Sequence, residues 1–172
     1  MTTKLTSTLY FIGAIIIAFT ALVITYITTA NYGNRMEQEI QAVYDNRTNV
    51  LSQYTLKLQE AAQIPEMYKA DFKEVVSAAL QGRYGSDGSQ ATVQWIKESN
   101  LHFDSSMYRH LQTLIESGRN EYQREETRLI DVVRVYKTNL GYVWTGFWLT
   151  RAGYPKIDLS KYKPISSVDA QH

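Results

Sequence analysis

Between Lys4 and Arg35 the chain carries no charged side chain. Within that gap, residues 9–30 are apolar apart from threonines and two tyrosines, Tyr10 and Tyr26. A helix over those residues is about 33 Å long, enough to cross a hydrocarbon core. Threonine hydroxyls can return to carbonyls of their own helix, so they are tolerated in lipid. Tyr10, Tyr26 and Tyr32 fall near the two ends, where amphipathic rings prefer to lie. A cleaved secretory signal is the alternative, with Thr28-x-Ala30 as its cleavage site and Lys4 as its basic region. The apolar run, however, is longer than an h-region of about 7–15 residues. The sequence therefore predicts a retained single-pass anchor. Lys4 on one side against Arg35 and Arg47 on the other leans towards a cytoplasmic domain by one charge, which the free amino group offsets. The side stays undecided.

The 172 residues are about one domain long, with Lys+Arg 18 against Asp+Glu 17. That balance excludes the basic surface that binds nucleic-acid backbones nonspecifically. Cys is 0, which removes disulfides, thiolate metal sites and cysteine nucleophiles. Beyond the anchor, the remainder is about a quarter charged, as in an ordinary water-facing domain.

From Arg35 the apolar positions run Met36, Ile40, Val43, Val50, Tyr54, Leu58 and Ala61. They alternate by three and four except for a gap of seven around Arg47, which predicts an amphipathic helix with one polar interruption. Pro65 follows with no Gly, Asn, Asp or Ser nearby to make a turn, so a kinked continuation through Phe72 to Leu80 is expected. The glycine-rich loop at 82–89 breaks the pattern. A short helix is expected at 91–98, with Trp95 and Ile96 inward. Asp104 or Ser105 reads as the N-cap of a helix reaching Leu140. Its stripe is Met107, Leu111, Leu114, Gly118, Tyr122, Leu129, Val132, Tyr136 and Leu140. Mid-helix Gly118 points to close approach by a neighbour.

The architecture so read is all-α: an N-terminal transmembrane helix, then an elongated antiparallel helical bundle with a short aromatic and basic tail. Residues 1–8 form the N-terminal tail, 9–30 the span, 35–149 the bundle and 150–172 the basic, extended tail. If the first bundle helix only kinks at Pro65, the last long helix returns antiparallel to it. Arg47 then falls level with Arg128, Tyr54 near Tyr122 and Ala61 near Leu114.

No catalytic pattern emerges. His102, Asp104 and His110 lack the H-E-x-x-H spacing that puts two ligands on one helical face, and read as a polar helix entrance. The loop at 82–89 lacks the G-K-[ST] of a phosphate-binding loop, and Asp87 is its only carboxylate. The charge run at 119–128, with Glu121–Arg124 and Arg128–Asp131 at i,i+3, reads as a solvated helix face. Neither an enzyme nor a cofactor is indicated, and neither is a metal, a nucleic acid or a small-molecule substrate. Two features stand apart. Arg47 occupies a seam position, where a polar residue sets register and needs a carboxylate, from Glu125 or Asp131. The C-terminal aromatics Tyr142, Trp144, Phe147, Trp148 and Tyr154 are joined by Arg151, Lys156, Lys161 and Lys163. They read either as a hydrophobic plug on the bundle or as a surface for a membrane interface or a partner.

The order of features resembles the LemA-like membrane proteins. N-R-x-x-V-L-S-Q stands at 46–53, and R-L-I-D-V-V-R-V-Y at 128–136 is similar to that family's C-terminal region. G-F-W-L at 146–149 and A-G-Y-P-K-I-D at 152–158 resemble divergent, phage-encoded versions. Where typical members carry L-I-P-N-L, this chain has Gln63-Ile64-Pro65-Glu66. The resemblance implies a four-helix-like bundle tethered to a bacterial-type membrane, of host or virion, with no catalytic residues to carry over. The expected function is a membrane-anchored scaffold or adaptor that works through protein contact or self-assembly, as a coiled-coil-like oligomer. Its partners are the lipid bilayer and other proteins, including copies of itself. The competing reading is a membrane-remodelling or lesion-forming protein whose C-terminal segment enters lipid.

Overall fold

The computed structural model describes residues 2–82, 88–99 and 105–162, with side chains described from residue 8 and, after the gap at 83–87, from residue 90. All of its regular elements among these residues are helical. They are α1 (Thr2–Ala61), α2 (Lys69–Leu80), α3 (Gly88–Glu98), α4 (Ser105–Gly141) and α5 (Val143–Arg151), with short 3-10 turns at Glu66–Tyr68 and Leu159–Tyr162. The all-α reading holds. The expected loop at 82–89, His102, Asp104, Lys163 and the end of the tail lie wholly or largely outside the described residues.

Two units divide the chain, one of Met1–Ile40 with Val132–Lys161, the other of Gln41–Asp131 with Tyr162–His172. In the second unit, Leu58, Ala62, Ile64, Phe72, Val76, Leu80, Ile96, Leu111 and Ile115 close one core, to which each of α1–α4 contributes. Trp95 packs against the Phe72 ring at 5.4 Å and the Tyr68 ring at 6.3 Å, so the end of α3 faces the start of α2.

Pro65 does not kink a continuing helix. α1 stops at Ala61, and the Ile64 N–H reaches the Gln59 carbonyl while the Gln63 N–H reaches that of Glu60. This pairing is the Schellman closure of a helix end, with Gln63 in the left-handed region at φ 46. The amide of Gln59 then donates to the Lys69 carbonyl at 3.1 Å, and Leu80 comes back to Gly118 beside Tyr54. α2 thus folds back along α1. α3 adds one more crossing, so α4 does not run parallel to α1 as a single reversal at Pro65 alone would make it. Within this unit Arg47 meets Glu126 and Tyr54 meets Glu121, so α4 is antiparallel to α1.

The α4 seam is Leu111, Ile115, Gly118, Tyr122, Glu125, Leu129, Val133 and Tyr136, all buried. Ile115 and Val133 take the places expected for Leu114 and Val132, which are only half-buried. Each step is three or four residues, as a continuous helical stripe requires.

Candidate membrane-interface and seam sites

In the first unit, α1 turns large apolar side chains outward from Leu9 to Ile27. Leu9, Phe11, Ile16 (59%), Phe19 and Ile24 are all exposed. Thr20, Thr25 and Thr28 donate their hydroxyls to the carbonyls of Ile16, Ala21 and Ile24 at 2.8–2.9 Å. Among the described residues, one helix is long and apolar enough to cross a membrane.

Just beyond residue 30, α5 docks on α1 at Gly33 and lies against the end of α4 at Gly146. A Cβ on Gly33 would stand 2.9 Å from Leu149 Cδ2 and from the Tyr154 ring, and one on Gly146 only 2.2 Å from the Leu140 carbonyl oxygen. Those separations exclude any side chain without displacement, so Gly33 sets how closely α5 approaches α1, and Gly146 how closely it lies to the end of α4. α5 ends in its own Schellman closure, with Gly153 at φ 83.

The tail, expected to be extended from residue 150, instead folds back over its described residues, 150–162. Tyr154 is buried, and the Lys156 N–H donates to Glu37 Oε1 at 2.7 Å. The same oxygen accepts from the Tyr136 hydroxyl at 2.9 Å. Burial, and then the bond to the Glu37 carboxylate, push the Tyr136 phenol well above its ordinary pKa. In the second unit, Tyr162 stands edge-on to Tyr44 at 5.3 Å and donates to Gln41 Oε1 at 2.6 Å. Buried partners for backbone and hydroxyl groups are what an extended segment would lack.

The aromatic residues separate into two roles. Leu149 and Tyr154 are buried against Gly33, as a plug would be. Tyr142, Val143, Trp144 and Phe147 are exposed, Val143 by 93%. Trp148 is half-buried between them, its ring edge-on to Trp144 at 5.7 Å and Phe147 at 5.2 Å. Arg151 is exposed and shares a shallow groove with Leu140, Tyr142, Val143, Phe147 and Thr150.

Arg47 is buried in the α1 seam and pairs with Glu126, rather than with Glu125 or Asp131. Its guanidinium lies 4.8 Å from the centre of the Tyr44 ring and 5.9 Å from that of Tyr122. Tyr122 and Glu126 are one helical turn apart on α4, so an arginine resting on the first reaches the second. Glu125, about 100° away, points into the seam, where its Oε2 is buried with no hydrogen-bond partner among the described residues. The run at 119–128 is therefore not wholly solvated. Glu121 also accepts from the Tyr54 hydroxyl at 2.9 Å, a bond that raises the Tyr54 pKa. On its other side Glu121 lies 3.5 Å from Arg124, the expected i,i+3 pair.

Glu37, Gly33 and Gly146 were not singled out by sequence. Gly33 had a usable signal, since a glycine inside a long helix argues for close approach as it did at Gly118. Glu37 adjoins Met36 in the seam, and only its two partners give it a role. No family model, curated protein or solved structure matches this chain.

Proposed function

We propose that the protein is a single-pass, membrane-anchored helical scaffold or adaptor that acts by protein contact, including contact between its own copies. The observation that carries this reading is α1 itself. One helix bears an outward-facing apolar segment and then a seam of buried residues at Met36, Ile40, Val43 and Arg47. A span with no burial and a packed helical domain on one element suit a protein whose role is to hold a domain at a membrane. The LemA-like resemblance belongs to the same proposal, with a bacterial-type membrane as the location.

A second reading, membrane remodelling, is favoured by the exposed rings at the start of α5. Amine crosslinking of the full chain in native membranes separates the two. Adducts of discrete mass through lysines of the helical domain, including a doubled chain mass, support the scaffold. Monomer alone, together with tubulation or leakage of vesicles carrying the purified chain, moves the assignment to remodelling.

A further inference from the structure

The groove around Arg151 sits close to the end of the apolar run. Leu149 and Tyr154 touch Gly33, three residues past Ala30, or roughly 5 Å along the helix axis. Tyr136 meets Glu37, so Leu140 lies about one turn nearer the apolar run on a helix that travels towards it. From that level Tyr142, Trp144 and Phe147 turn outward. Tryptophan and tyrosine prefer the headgroup depth of a bilayer, with the ring among glycerol and upper acyl chain and the polar tip in water.

Charge points the same way. Arg151 is the only charged side chain lining the groove, and no ion pair among the described residues engages it. Glu37, the nearest buried acid on α1, is already occupied by Tyr136 and the Lys156 N–H.

We infer that this α5 groove binds the surface of an anionic bilayer, the one α1 spans, with the Arg151 guanidinium on a lipid phosphate and the rings beside it at the interface. The inference rests on α1 being a span. A second copy fits less well, because a two-fold contact would bring two Arg151 side chains into one groove without a carboxylate. The headgroup contact would pin α5 to the membrane surface as a second, weaker attachment beside the span.

The absence of cysteine allows a direct test with the full chain. Val143→Cys, and separately Met67→Cys, is labelled with an environment-sensitive fluorophore and reconstituted into phosphatidylcholine vesicles with or without phosphatidylglycerol. Met67 serves as the comparison because it is also apolar and exposed, at 77%, on the 3-10 turn of the other unit. A nitroxide on the lipid headgroup should remove about half of the emission at position 143 and little at 67, as expected for a probe at interfacial depth. Phosphatidylglycerol should increase the quenching at 143, and Arg151→Gln should abolish that increase. If the chain resists alkaline carbonate but the label at 143 is as open to aqueous iodide as that at 67, the inference is overturned and the anchor stands. Shielding from iodide without nitroxide quenching would mean that a second copy covers the groove, which also overturns it. Release of the chain by carbonate would remove both the anchor and the inference.

Discussion

Glu37 is the residue on which the first unit's polar interior turns. Its Oε1 receives two donors, the Tyr136 hydroxyl and the Lys156 N–H, and the carboxylate is almost wholly buried. Leaving a buried donor unpaired costs about 1–3 kcal/mol. Glu37→Ala should therefore lower the stability of the detergent-solubilised chain by about 2 kcal/mol or more, and Glu37→Gln, which keeps an acceptor oxygen, by distinctly less. Thermal denaturation of the two variants checks the order, and equal losses would contradict the account. Tyr136 adds a pH dependence. Its phenol is held above the ordinary tyrosine value in the folded chain, so above about pH 10 the unfolded chain releases a proton that the folded chain keeps. Stability is intact below that pH and falls as pH rises beyond it. Tyr136→Phe should flatten the alkaline decline in urea titrations. Gly118 shows what was readable at this scale. A Cβ there would lie 2.7 Å from Leu80 Cδ2 and from the Tyr54 ring, so the close approach expected from a mid-helix glycine is present. Gly118→Leu should destabilise by about 1–3 kcal/mol through overpacking, although leucine is the better helix former. A raised melting temperature would speak against it.

The helices show where sequence reasoning carries and where it stops. Three-and-four spacing located α1 and α4, and the gap of seven at Arg47 has its counterpart at Glu125, between Tyr122 and Leu129. Which carboxylate Arg47 takes was not legible. The choice between neighbours depends on a rotation of about 100°, and the Tyr122 ring steers the guanidinium to Glu126. The two Schellman closures make a sharper contrast. Gly153 announces its left-handed turn, whereas Gln63 adopts the same conformation without a turn residue, so the end of α1 read as a proline kink. The tail was misread because its basic residues suggested solvent, while Tyr154 and Tyr162 supply the burial. Breaking the Arg47 pair tests the seam. Arg47→Ala should cost about 3–5 kcal/mol by stranding a carboxylate, whereas Arg47→Met with Glu126→Leu should recover most of it. Chemical denaturation of both variants measures the difference. If the double substitution were no better than the single one, packing of the arginine rather than its charge would be what matters.

At the scale of the whole chain, a single element joins the membrane question to the fold. α1 runs unbroken from an outward-facing apolar segment into residues that pack on α4 and α5. The charge-free run made that segment readable from composition alone. The docking of α5 at Gly33 was not, because it depends on the return of a distant part of the chain. The central claim is that residues 9–30 hold the protein in a bilayer, and Ile16, exposed in the middle of the run, is where it is most vulnerable. A lysine at the centre of a span costs about 2.5–3.5 kcal/mol on insertion. The decisive measurement is the share of intact chain that stays with membranes after alkaline carbonate extraction, for the wild type and for Ile16→Lys. The account predicts that the wild type sediments with the membranes and that the variant is largely released. A wild type found in the supernatant, or a variant that sediments as fully as the wild type, would contradict it.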